Sequence, residues 1–285
     1  MAAVIKFTLP TARLDHDPEI YLTYDPTISR PTEDLSLSLT DLRPELEGVV
    51  PAVAVADQLN KRGFAVAKHT SGHLDGLPHV EGTKLYLAET AELLRTQLGC
   101  TRVIAWNSVC RKNDASVELK DVPKQKGPEE GFVPTERKQP IAGVAHVDQD
   151  EVWGAELVDK ATGGTAYVRA QIVNIWRPLS GPVTNAPLAM LGFGDIGPDD
   201  LSKHASMFGV GMDLHHSQGQ QWAYIHHQLP DEVIYLKCFD SFQGSDGSAL
   251  YCGHVAVEID DTPGVDPDKV VPRESVEVRL VALWE

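Results

Sequence analysis

Basic residues, paired cysteines and long apolar runs are all scarce in this chain. Lysine and arginine total 25 against 41 aspartates and glutamates, a formal net charge of −16. That balance argues against nucleic acid or an anionic membrane as a partner, since both need basic patches. It says nothing about the charge of a substrate. Cys100, Cys110, Cys238 and Cys252 form no C-x-x-C pair, so neither structural zinc nor a disulfide framework is expected in 285 residues. No apolar run approaches the roughly 18 residues of a membrane span. The opening residues lack a basic stretch followed by a long apolar one, and the chain reads as cytosolic. There is no G-x-S-x-G elbow for a hydrolase, no Gly-rich strand–turn–helix for a dinucleotide and no internal repeat.

What is present suits a large soluble domain. Apolar residues make up 42%, enough for a sizeable core. Ile20–Tyr24 and Leu35–Leu39 are β-prone, and Gly63–Ala67 and Arg102–Trp106 read as strands. Leu46, Val49, Val50, Val53 and Leu59 fall near helical spacing from Glu45 to about Lys61, with Pro51 as an interior break. Thr83–Leu98 is the clearest helix, closed by Gly99. Residues 111–140 are rich in Lys, Glu, Asp, Pro and Gly, and read as a flexible loop and a lid candidate. Beyond His146 the pattern is almost wholly β, with strands expected at Tyr167–Trp176, Trp222–His226, Asp231–Phe239, His254–Ile259 and Ser275–Leu283. Helices early and strands late predict an α+β chain, a β-barrel or jelly-roll core behind an N-terminal helical buttress.

The chemistry centres on His146-Val147-Asp148. In a strand, residues two apart share a face, so an imidazole and a carboxylate stand side by side. Such a pair can give two of the three protein ligands of a non-haem Fe(II) site. A third ligand must come from a distant strand, and eleven histidines compete. His226 and His227 adjoin one strand end. His254 opens another, and is followed by Arg273-Glu274-Ser275 at the start of the last strand. An arginine and a hydroxyl two residues apart can together grip a carboxylate.

The order H-x-D, His, R-x-S resembles the Fe(II)- and 2-oxoglutarate-dependent oxygenases, whose core is a double-stranded β-helix. More narrowly, several stretches are similar to gibberellin desaturase-like proteins, a family that also includes a component of cephalosporin 7α-methoxylation. They are His146–Gln149, Ile175–Leu179 with Gly181-Pro182 and Pro187–Ala189, Asp231–Val233, Phe239–Ser241 and Arg273–Arg279. The likeness runs from about residue 60 onward. It implies Fe(II) on His146, Asp148 and His254, and 2-oxoglutarate as co-substrate with its far carboxylate on Arg273 and Ser275. It also implies dioxygen, hydrogen abstraction from a C–H bond of a small natural-product substrate, and hydroxylation or desaturation. The gap from His254 to Arg273 is longer than usual in the broader class.

Other roles are weighed beside these. Arg177 shares the parity of Val173 and Ile175 and is a second candidate for a carboxylate, against a capping salt bridge. Arg279 has the parity of Arg273 but lies roughly 20 Å along an extended strand, too far for the same carboxylate. Arg273 has a structural alternative, an ion pair to Glu274 or Glu277. Tyr235 and Lys237 alternate with Ile234 and Leu236, which fits a strand with one solvent-facing side. Asp240-Ser241 is either a support for the metal ligands or a turn. One oxygenase domain is expected over 1–285: 1–110 as supporting strands and helices, 111–140 as the loop, and 141–285 as the core. Two other functions keep the fold: an iron oxygenase that does not use 2-oxoglutarate, and an accessory subunit of a biosynthetic enzyme pair. A homodimer or a partner enzyme is compatible with either.

Overall fold

The computed structural model describes residues 1–117, 138–206, 209–259 and 271–285. The chain opens with β1 (Ala2–Thr8), β2 (Thr32–Ser38) and β3 (Thr40–Asp41). Helices α1 (Arg43–Leu46) and α2 (Val55–Arg62), strand β4 (Phe64–Lys68), helix α3 (Val80–Leu98) and strand β5 (Arg102–Lys112) follow. Then come β6 (Gln139–Pro140), β7 (His146–Val147) and α4 (Glu151–Thr162). The rest is strand: β8 (Arg169–Pro178), β9 (Leu188–Leu191), β10 (Leu201–Ser206), β11 (Gly209–Leu214), β12 (Trp222–Tyr224), β13 (Glu232–Asp240), β14 (Gly253–Ala256) and β15 (Glu274–Trp284).

Two sheets carry the site. The larger has the order β4-β13-β8-β15-β5-β6, the smaller β10-β11-β7-β14-β9-β12-β3. Their facing sides meet in one core, where Ile172, Trp176, Ile234 and Leu236 of the larger sheet join Leu188, Met190 and Ala223 of the smaller. The outer side of the larger sheet packs Val173, Ile175, Tyr235, Val276 and Val278 beneath Leu59 of α2 and Tyr86 and Leu94 of α3. The smaller sheet is backed by Ala3, Ile5 and Phe7 of β1. This is a double-stranded β-helix with a helical buttress, in an α+β chain. The larger sheet draws β4 and β5 from the first 112 residues as well as β8, β13 and β15.

Local sequence explains most elements. Gly99 adopts φ +62° and caps α3, as its place after the apolar stripe predicts. The helix predicted over Glu45 to Lys61 is instead two, α1 and α2, separated by the stretch containing Pro51. Ile20–Tyr24, predicted as a strand, lies largely in a 3-10 turn, Pro18–Leu22, begun by Asp17 accepting from Glu19 N at 2.9 Å. The region beyond His146 is not wholly β. Asp150 accepts from Trp153 N and starts α4. Gly154 lets that helix lie flat on β13, since a Cβ there would meet Phe239 Cδ2 at 2.4 Å. Residues 111–112 and 139–140, expected in the loop, are strand, while 118–137, its lid portion, lies outside the described residues. β13 has no solvent-facing side: Tyr235 and Lys237 are as buried as Ile234 and Leu236, because helices cover the outer face.

Candidate metal centre and anion pocket

β7 and β14 are neighbours, and their register places His146 directly opposite His254. The two rings sit 4.4 Å apart between centroids. Asp148 follows β7 on the same side, with Oδ1 3.4 Å from His146 Nε2 and 3.8 Å from His254 Nε2. One ligand atom from each residue lies within 4.8 Å of the others. His146 Nδ1 is 2.7 Å from Val144 O. Donation there leaves Nε2 as the lone-pair nitrogen towards the cluster, the usual arrangement behind a metal-bound imidazole.

Charge in the cluster is strongly shaped by burial. Burial, with His146 beside it, pushes the His254 imidazole down to about 4, so it is neutral at pH 7 with a free lone pair. Burial works against the Asp148 carboxylate. A protonated His146 donating to it, the charge His254 carries when protonated, and the permanent cation of Arg279 outweigh burial and hold the group well below the usual range. Two neutral-capable imidazoles and one ionised carboxylate are the donor set of a borderline divalent cation such as Fe(II).

The inner row of β15 supplies the second feature. Ser275, Glu277 and Arg279 pair with Pro178, Trp176 and Asn174 of β8, and so face the smaller sheet. Arg273 is 3% exposed just before the strand, with Nη1 on Ala186 O at 2.8 Å and its guanidinium 5.3 Å from the Trp176 ring centroid. Its Nε and the Ser275 hydroxyl are buried with no hydrogen-bond partner among the described residues. Buried donors are normally satisfied, so two orphans on neighbouring positions mark a place for an acceptor. Burial and Arg111 push the Arg273 guanidinium down to about 9, which leaves it cationic at neutral pH. Arg279 is already engaged, donating to Glu277 Oε1 at 3.0 Å.

The two arginines singled out beside Ser275 separate here. Val173, Ile175 and Arg177 point to the outer side of β8, under the helices. Arg177 is fully buried there, donating to His69 O at 2.9 Å and Pro230 O at 3.3 Å, with Tyr86 beneath it. It is on the wrong face for a co-substrate shared with His146. Asp240 likewise does not support the metal ligands. It accepts from Lys237 Nζ at 2.9 Å and Gln171 Nε2 at 2.8 Å, on the outer side. The rival histidines are elsewhere: His226 lies beyond β12, its amide on Asp41 Oδ1.

Residues not foreseen from sequence add to these two features. Arg111 pairs with Ser275 across β5 and β15, which brings a further cation to the inner face. Gln139 pairs with Arg111, and its buried Nε2 has no partner among the described residues. Asn174 and Cys238 come from β8 and β13 to Asp148. The one signal for Asn174 was a polar residue inside the apolar run Ile172–Trp176.

The double-stranded β-helix and the His-Asp-His cluster within it define a scaffold that could hold a metal ion between two sheets. The chain belongs to the oxidoreductase/YMDC permease-like domain family, whose profile matches residues 33–283. It is 38% identical over 123 residues to aspirochlorine biosynthesis protein N of Aspergillus oryzae, a match covering 41% of this chain and about half, 49%, of that protein. Identity is 29% over 217 residues to the Fe(II)/2-oxoglutarate-dependent dioxygenase nvfI of Aspergillus novofumigatus, covering 73% of this chain and 68% of the relative. The gibberellin cluster GA4 desaturase of Gibberella fujikuroi is 24% identical over 313 residues, with 87% of each chain covered. A solved structure of the iron and alpha-ketoglutarate-dependent endoperoxidase NvfI superposes with a TM-score of 0.76 at 22% identity, over 99% of this chain and 97% of that one. The family and fold anticipated from H-x-D, His and R-x-S are therefore those found. Among the described residues no helix is long and apolar enough to cross a membrane.

Proposed function

We propose that this chain is an Fe(II)/2-oxoglutarate-dependent oxygenase that hydroxylates or desaturates a small natural-product substrate. The observation that carries the reading is the pairing of two features on facing sheets. His146, Asp148 and His254 converge, and across from them Arg273 and Ser275 hold buried donors with no partner among the described residues. His146, Asp148 and His254 would hold the iron. Arg273 Nε and Ser275 Oγ would hold the far carboxylate of 2-oxoglutarate. The residues fit both groups: the donor set is that of a facial triad, and the orphans are of the sign a carboxylate needs.

Iron and co-substrate together supply the oxidising chemistry: dioxygen and 2-oxoglutarate yield succinate and carbon dioxide, and one oxygen atom is left to attack a C–H bond. The chain's share is placement. Val144 O fixes the His146 tautomer, and the opposite register of β7 and β14 fixes the two imidazoles relative to each other. Arg111, Arg273 and Arg279 outnumber Asp148 and Glu277 on the inner face by three to two, which favours a dianionic ligand beside a dication. Trp176, Ile172 and Leu236 wall the interior with apolar surface and keep water from the reacting groups.

Anaerobic titration of the Fe(II)-loaded protein with 2-oxoglutarate tests the reading. The weak visible charge-transfer band of the chelate is the expected result. Bound iron with no band favours an iron oxygenase that does not use 2-oxoglutarate. No iron binding at all removes the assignment and points to an accessory subunit.

A further inference from the structure

The two oxygens of Asp148 have different surroundings. Oδ1 faces the imidazoles, 3.4 Å from His146 Nε2 and 3.8 Å from His254 Nε2. Oδ2 turns the other way, to the larger sheet. There Asn174 Nδ2 donates to it at 2.5 Å, and Cys238 Sγ lies 3.7 Å away.

Asn174 is an unusual residue for its position. It sits in the middle of β8, fully buried, on the inner face between Ile172 and Trp176. Burying an amide there costs stability unless its groups are used. Its Oδ1 has no partner among the described residues, so the carboxylate bond is the amide's one side-chain hydrogen bond there. β13 contributes the second contact through an irregularity. Lys237 pairs with Val173 and Phe239 with Ile172, which leaves Cys238 as the extra residue of a bulge. Bulges re-aim side chains, and this one brings the thiol inward to Asp148. A thiol is a weak donor, and Leu236 O at 3.5 Å competes for it.

We infer that Asn174 is the positioning residue of the metal centre, tying down Asp148 Oδ2 from the opposite sheet so that Oδ1 alone is offered to the cation, with Cys238 as a weaker second tether. The inference rests on the reading that His146, Asp148 and His254 bind a divalent metal. Its consequence is economy of coordination. A carboxylate that gripped with both oxygens would occupy one more position of the cation, and an oxygenase needs those positions for co-substrate and dioxygen.

Cobalt(II) is a suitable probe, because its visible d–d bands report ligand geometry without turnover. Wild type, Asn174→Leu and Asn174→Ala are titrated with Co(II), and the fold of each apoprotein is checked by circular dichroism. Leucine keeps the branching of asparagine and removes both amide groups, of which only Nδ2 is engaged among the described residues; alanine serves should the bulkier leucine fail to pack. The expected result is Co(II) affinity about 10- to 100-fold weaker, the usual cost of losing such a partner, with an altered band shape. Cys238→Ala should cost less than either. A folded Asn174 variant with wild-type affinity and band shape overturns the inference. The wild-type protein gives a reading independent of any variant. In its Zn(II)-loaded form the Asn174 side-chain amide protons should exchange slowly with water, and fast exchange overturns the tether. If wild type binds neither Co(II) nor Zn(II), the metal reading itself fails. If it binds and the variants match it, only the role of Asn174 does.

Discussion

Replacing Arg273 by glutamine separates a co-substrate site from a structural ion pair. In the native chain one nitrogen of the guanidinium is committed to Ala186 O at 2.8 Å, while Nε is buried and unpartnered among the described residues. If a 2-oxoglutarate carboxylate completes it, the substitution removes one partner of a buried, hydrogen-bonded charge pair. That typically costs about 2–5 kcal/mol. At about 1.4 kcal/mol per tenfold, the dissociation constant should rise by about 30-fold to several thousand-fold. Isothermal titration of anaerobic Fe(II)-loaded protein measures it directly. Arg177→Gln is the matched control. It too removes a fully buried arginine from the same sheet, with its bonds to His69 O and Pro230 O, but on the helical side. It should lower the melting temperature and leave 2-oxoglutarate affinity within a few-fold of wild type, an order-of-magnitude expectation for a site beyond direct contact. Wild-type affinity in Arg273→Gln, with the loss appearing in Arg177→Gln instead, would refute the argument. A fall in melting temperature without a change in affinity would assign Arg273 to Glu277.

Three further outcomes are expected. Alanine at His146 or Asp148 should abolish Fe(II)-dependent formation of succinate from 2-oxoglutarate; undiminished turnover in both variants would sink the metal assignment. Asp240 is fully buried, and although burial opposes ionisation, Arg169 and Lys237 hold its carboxyl below the usual value. A depressed folded pKa means the unfolded chain takes up the proton first as pH falls. The stabilisation is then complete above the unfolded value of about 4 and shrinks below it. Asp240→Asn should cost about 3–5 kcal/mol near neutrality by stranding Lys237, and the gap in melting temperature from wild type should narrow below about pH 4. Gly154→Ala should destabilise by about 1–3 kcal/mol, because its Cβ would lie 2.4 Å from the Phe239 ring; thermal melts that coincide with wild type would show that α4 yields freely.

How much was legible in advance differs between elements. Runs of β-prone residues located β13 and β15, and an apolar stripe ending at Gly99 located α3, because these depend on residues close in sequence. α4 escaped notice between strands: its start rests on Asp150 as a cap, and its fit rests on Gly154 meeting Phe239 of a strand far along the chain. The parity of Arg177 with Val173 and Ile175 could be read from the residues, but not which side of the sheet the three face. Parity states which residues share a side and is silent on which side is the interior when both are covered.

The residues themselves determined the H-x-D pair and the R-x-S pair, since two-residue spacing in an extended chain fixes a shared face whatever the fold around it. Only the tertiary structure could bring His254 opposite His146, place Arg111 beside Ser275, and carry Asn174 and Cys238 to the back of Asp148. Those contacts are set by strand register and by the packing of one sheet on another, between segments far apart along the chain. No local pattern of residue types encodes them.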